Sequence, residues 1–214
     1  MFELIGVRYG SILDLPNLEI REKQVTSLTG PSGSGKTSVL RMLNKMISPT
    51  SGQILFRGVD LREVDSVAHR RKVVMLSQEP AVFGKTIRDN LHAGLLFQEK
   101  KPSPDSALKE MMKKVGLEKS LDDDAHRLSG GERQRLALAR VILLDPDVYL
   151  LDEPSSALDE ETGQLIFDML TTHAKANGKT IIMVTHSRAA AQKYSNVIIE
   201  MNGGKCMKKD SVHE

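Results

Sequence analysis

"QVTSLTGPSGSGKTSVLRMLNKM", Gln24 to Met46, is the stretch whose reading decides the fold. It opens as a short β-branched run and turns glycine-rich. It then repeats apolar residues at helical spacing, with Val39, Leu40, Leu43 and Met46 on one face and a stop before Pro49. Strand, loop and helix in that order are the setting in which "GPSGSGKT", Gly30 to Thr37, satisfies the full phosphate-loop pattern. Its glycines let backbone N–H groups curl round the phosphates of a nucleotide without Cβ obstruction. Gly30, Pro31, Ser32, Gly33, Ser34, Gly35, Lys36, Thr37 and Ser38 are therefore the candidate nucleotide-binding residues. Lys36 is expected to reach the β and γ phosphates, and the Thr37 hydroxyl to ligate Mg²⁺. A glycine-rich connection with a chance lysine is the bland alternative, and the flanking strand and helix argue against it.

Outward from this stretch, strands and helices alternate, which predicts an α/β fold with a mainly parallel sheet and helices on its faces. "VVMLSQ" (from Val73), "DVYLLDE" (from Asp147), "TIIMVTH" (from Thr180) and "NVIIEM" (from Asn196) are nearly continuous apolar runs, as expected of strands covered on both faces. "FELIGVRYG" and "GQILFRG" are shorter, partly polar and punctuated by glycine, and are expected at an antiparallel edge. Between Gln78 and Leu128 helical signals replace β-branched runs. In "SPDSALKEMMKKVG", Ser103 is expected to cap and Pro104 to fit the first turn, while Leu108, Met111, Met112 and Val115 form a stripe ended by Gly116. The methionines suit a partner surface or a core. The expected organisation is a single domain over 1–214, with 1–78 and 129–214 forming the core and 79–128 an inserted helical subdomain. "KKDSVHE", from Lys208, reads as a loose tail.

"VYLLDEP" brings two carboxylates to the C-terminal end of an apolar strand, where ligands sit in open α/β sheets. Asp152 is expected to hold Mg²⁺ through water, and Glu153 to polarise the water that attacks the γ-phosphate. In "LSGGERQRLALAR", from Leu128, a serine and two glycines open a helix whose first N–H groups lack internal partners. The chain thus carries a second potential anion site, which a simple turn or cap could equally explain.

Composition narrows the rest. With 40% hydrophobic and 27% charged residues and a formal net charge of +2, the chain has no basic excess that would point to nucleic acid. No apolar run approaches the roughly 18 residues of a membrane span, and acidic Glu3 stands where a signal peptide would be basic, so a cytoplasmic protein is expected. The single Cys206 has no disulfide partner within the chain.

Taken together, "GPSGSGKT", "LSGGE", "LLDEP", "SALD" and "VTH" stand in an order that resembles an ABC-transporter ATPase subunit over nearly the whole chain. The resemblance implies that two copies dock head to tail and share each ATP. Ser129, Gly130, Gly131 and Glu132 would then cover the γ-phosphate held by the other copy, and Asp159 would lie across the seam. It also implies that Tyr9 stacks on adenine, that Gln78 touches Mg²⁺ or the attacking water, and that His186 contacts the γ-phosphate. Read alone, Tyr9 fits a buried edge strand nearly as well, and Asp159 a helix cap. Glu132 replaces the family's usual glutamine, Ser155 its frequent threonine, and the segment from Tyr9 to Gly30 is short, which suggests a trimmed edge sheet.

The partner implied is a separate membrane permease, with the chain peripheral on the inner face of the cell membrane. "ISPTSGQILFRGVDL" and "SQEPAVFGKTIRDNL" look most like the bacterial iron and metal-stress export type, and "FGKTIRDNL" also resembles multidrug exporters. A soluble relative acting on DNA or ribosomes is the rival reading. The DNA-repair type needs a long coiled coil before the signature and the ribosome type a tandem cassette, and the chain has neither.

Overall fold

The computed structural model describes Met1 to Val212. Two sheets form the frame. β1 (Phe2–Tyr9), β2 (Leu13–Ile20), β4 (Ser51–Phe56) and β5 (Val59–Asp60) make an antiparallel sheet in the order β2-β1-β4-β5. β3 (Val25–Thr29), β6 (Val73–Leu76), β7 (Val148–Asp152), β8 (Thr180–Val184), β9 (Val197–Asn202) and β10 (Lys205–Ser211) make the second, ordered β10-β9-β3-β8-β7-β6. All its pairings are parallel except β9 with β10.

The apolar runs are continuous because the central strands are buried on both faces. Along β7, Tyr149 and Leu151 face one apolar cluster while Val148 and Leu150 face the other; along β8, Ile181 and Met183 alternate with Ile182 and Val184 in the same way. On one side α1 (Lys36–Leu43) packs against β6, β7 and β8 and shares its cluster with the antiparallel sheet. On the other side lie α5 (Gly130–Leu143), α6 (Glu160–Ala176) and α7 (Arg188–Tyr194). α3 (Ile87–Phe97) and α4 (Asp105–Lys114) pack on α5 and fall within 79–128, while α2 (Ser66–Lys72) packs against β6.

Several local expectations are corrected. Met46 is 60% exposed because α1 ends at Leu43 and Lys45 takes a φ of 57°. Ser103 caps nothing: α4 starts at Asp105 with Pro104 in the cap position, and the Ser103 carbonyl contacts His92 Nε2 instead, at 3.0 Å. The core reading of the methionine pair holds, with Met112 buried and Met111 partly buried against the same cluster. Most of the presumed tail is strand β10, paired with β9 from Lys205↔Asn202 to Ser211↔Val197, while His213 and Glu214 lie outside the described residues.

Candidate nucleotide-binding and catalytic cleft

β3 delivers the chain into the glycine-rich loop, and α1 leaves it. Gly30 has a φ of +132°, and a Cβ there would stand 2.0 Å from the Met201 carbonyl oxygen, so no other residue fits. Lys36, buried in the first turn of α1, donates from Nζ to the carbonyls of Gly30 at 2.9 Å and Pro31 at 2.7 Å. Burial lowers its pKa, and the nearby carboxylates of Glu153 and Asp152 oppose that shift. The next residue, Thr37, donates from Oγ1 to Asp152 Oδ1 at 3.0 Å. Asp152 is 3% exposed; burial raises its pKa, against the Thr37 hydrogen bond.

Glu153 follows immediately, and its backbone is unusual. Its φ of 50° lies in the left-handed region, a strained setting for a side chain of this kind. A bond from its N–H to the Val184 carbonyl at 3.1 Å holds it there. Its Oε2 accepts from Gln78 Nε2 at 3.1 Å, and its Oε1 lies 2.9 Å from His186 Nε2. Strand ends from β6, β7 and β8 thus converge on one carboxylate. Lys36, Thr37, Gln78, Glu153 and His186 line a cleft of about 420 Å³ together with Ser32, Gly33, Gly35, Ser38 and Ile12. The sequence brings these groups together as expected.

Other expected residues lie elsewhere. Ser129 is the cap of α5. Its Oγ accepts the Glu132 N–H at 3.3 Å, while Glu132 Oε2 accepts the Ser129 N–H at 2.8 Å. Glu132 also pairs with Lys119 at 3.1 Å, and these bonds, the Ser129 backbone first, bring its pKa down to about 2. Its carboxylate is therefore turned onto its own helix start. A Cβ on Gly130 would meet open space, whereas one on Gly131 would come 2.9 Å from the Ala157 carbonyl oxygen, so Gly131 packs closely against the loop that leads to Asp159. Asp159 caps α6, accepting the Thr162 N–H at 2.9 Å. None of these residues lines the cleft of its own chain.

Tyr9 is not in the cleft either. It is half-buried against the cluster beneath the antiparallel sheet, and Ile12, three residues on, occupies the rim. Nothing in "YGSIL" marks Ile12 as a cleft residue beyond its being an apolar side chain in a turn just after glycine.

A glycine-rich phosphate loop at the end of one strand, with a threonine-bonded aspartate and a clamped glutamate at the end of another, defines a phosphate-loop nucleoside triphosphatase. A family model described as ABC transporter matches residues 13–156. The chain is 39% identical over 189 residues to Protein STAR1 of rice, Oryza sativa subsp. japonica, covering 88% of this chain and 54% of that protein. It is 36% identical to the phosphate import ATP-binding protein PstB of Prochlorococcus marinus (strain NATL2A), covering 90% and 76% respectively. Among solved structures, the dimeric post-hydrolysis state of the ATP-binding cassette MJ0796 bound to ADP and Pi superposes over the full length of both chains, with a TM-score of 0.90 at 27% identity. A bacterial Atm1-family ABC exporter with ATP bound gives 0.89 at 26% identity, over 98% of this chain and 38% of that one. The chain belongs to the ABC transporter family and is an ATPase domain of it.

Proposed function

We propose that this chain binds and hydrolyses Mg-ATP between two head-to-tail copies and so powers a separate membrane permease. The carrying observation is the double clamp on Glu153 beside the phosphate loop. A carboxylate held at both oxygens is oriented before the reaction, and as a base it takes a proton from water while His186 and Gln78 fix its plane. Lys36 exchanges the two loop carbonyls for phosphate oxygens, a charge-assisted contact. Thr37 Oγ1 and Asp152 are hard oxygen donors already in contact, and Gln78 has an amide oxygen to add. That donor set suits Mg²⁺, which keeps several water and phosphate ligands of its own. When bound, the ion would neutralise developing charge on the phosphates.

The dimer reading draws on the position of Ser129, Gly130 and Gly131 outside their own cleft, where the Gly130 and Gly131 amides at the helix start could cap a phosphate brought by a second copy. The permease reading draws on a groove of about 380 Å³ walled by Phe83, Phe97, Val67, Arg140 and Leu144, an apolar trough suited to an amphipathic helix. Among the described residues no helix is long and apolar enough to cross a membrane. On this reading 79–128 is the inserted helical subdomain and the chain sits on the inner membrane face. The sequence resemblance favours export, of iron or another metal as cargo. Named relatives include importers of phosphate, phosphonates and spermidine/putrescine, so transport has to be measured in both directions.

The test is Glu153→Gln. The amide keeps the shape and loses the base, so Mg-ATP binding should persist while phosphate release falls by about 100-fold or more. Undiminished turnover would remove Glu153 from the reaction.

A further inference from the structure

Glu153 keeps its left-handed backbone against local preference, because the residue before a proline is pushed toward extended conformations. A strained setting of this kind persists only where the surrounding contacts over-determine it. On the N-terminal side the contact is the bond from the Glu153 N–H to the Val184 carbonyl. The Glu153 carbonyl in turn accepts the Ser156 N–H at 3.1 Å. On the C-terminal side the anchor comes from α5: Gln134 Nε2 donates to the Pro154 carbonyl at 3.3 Å, one residue beyond the carboxylate. The turn is therefore held from β8 on one side and from α5 on the other.

Gln134 is 1% exposed, and the rest of the buried face of α5 is aliphatic, Leu136, Ala137, Leu138 and Val141 among it. An amide in that setting is costly unless it is bonded, and an aliphatic side chain would fill the same space without the cost. Gln134 does not line the cleft, so any effect it has on the reaction runs through the residues it holds. We propose that Gln134 is a positioning residue for hydrolysis: by holding the Pro154 carbonyl it fixes the turn at Glu153 and keeps the carboxylate between Gln78 and His186. The amide belongs to the helix that opens at Ser129, so the carboxylate is fastened to the signature helix of its own chain. This inference rests on the reading of Glu153 as the base.

Gln134→Met keeps the length and bulk of the side chain and removes the donor. Single-turnover hydrolysis at saturating Mg-ATP and calorimetric affinity for Mg-ATP, measured on wild type, Gln134→Met, Glu153→Gln and the double variant, test the proposal. Gln134→Met should slow hydrolysis about tenfold and change the affinity by less than about twofold, as a misaligned base beside an intact binding site requires. In the Glu153→Gln background the same substitution should slow the residual rate by less than about twofold, because no base is left to align. An equal loss of rate in both backgrounds, a loss of affinity as large as the loss of rate, or an unchanged rate in Gln134→Met overturns the inference. Should Gln134→Met fail to fold, Gln134→Glu, which keeps the shape and puts an acceptor where the donor stood, carries the same contrast. Full activity in Glu153→Gln alone overturns the base reading itself, and the inference with it; that result needs no change at Gln134, so the two failures are told apart.

Discussion

His69 is 1% exposed, yet its ring carries two polar nitrogens. Nε2 lies 2.7 Å from the Leu43 carbonyl, which can only accept, so Nε2 bears the hydrogen and the imidazole is neutral with its lone pair on Nδ1. Nδ1 is buried without a partner, and the ring stands edge-on to Phe56 at 5.1 Å and to Phe2 at 6.4 Å. A second proton would sit in that aromatic setting, facing the positive charges of Lys45, Arg70 and Lys72. Burial is the main reason its pKa is lowered; the Leu43 hydrogen bond opposes the shift and the three cations add to it. The unfolded chain then binds the proton that the folded chain refuses. Stability should be full above an unfolded value of about 6.5 and fall as pH drops below it, by at most about 1.4 kcal/mol per unit from this group. Urea unfolding at a series of pH values from 7.5 down to 5.5 measures the slope. His69→Phe should cost about 1 to 3 kcal/mol at neutral pH by stranding the Leu43 carbonyl, and should flatten the acid slope; an unchanged slope would mean other groups set it.

α5 links two distant surfaces, because its N-terminus is the signature turn and its last turn carries Arg140. That guanidinium lies 4.5 Å over the Phe83 ring and donates to the Ala81 carbonyl at 3.1 Å, so the segment after Gln78 is fastened to the signature helix. Burial lowers the Arg140 pKa to about 10, which leaves it charged at neutral pH. Phe83 is neither free nor core: half-buried, it meets Phe97 at 5.5 Å, edge to face, on the wall of the groove. Phe83→Ala should therefore leave basal ATPase near wild type, cost about 1 kcal/mol or less in thermal unfolding, and remove the stimulation given by a copurified permease. A large stability loss with stimulation intact would make the ring structural. At this scale the sequence was readable wherever burial is two-sided: Val148 to Leu151 and Ile181 to Val184 alternate between two apolar clusters and so have to be apolar throughout. It was unreadable in β10, where "KCMKKDS" covers an edge with exposed lysines and the pairing is set by β9. Likewise Tyr9 packs on the cluster below the sheet while Ile12 lines the cleft, and the turn between them lies against Gly204, whose carbonyl accepts the Asp14 N–H at 2.9 Å across a separation no local pattern reports.

At the scale of the whole molecule, the proposed head-to-tail reading makes the phosphate loop and the signature turn separate half-sites, since neither Ser129, Gly130 and Gly131 nor Asp159 lines the cleft that Lys36 and Glu153 line. On that reading two copies related by a two-fold axis would complete both sites at once, since each contact made by one copy is returned by the other. Hydrolysis should be what reopens such a pair. In a Glu153→Gln background, saturating Mg-ATP should therefore accumulate a dimer, read as a doubled mass by light scattering after size-exclusion chromatography. Adding Ser129→Arg should abolish it. A Cβ on Gly130 meets open space at this turn, so bulk and charge placed beside it project outward onto the surface that has to approach the partner's γ-phosphate. Ser129→Ala separates this from helix loss. It removes the bond from Ser129 Oγ to the Glu132 N–H, costing about 1 kcal/mol of α5 stability, but leaves the Glu132 carboxylate on the residue 129 N–H and adds no bulk, so its trapped dimer should survive. Loss of the dimer in both variants would trace the effect to the cap, and persistence of the dimer in Ser129→Arg would place the second half-site somewhere other than the signature turn.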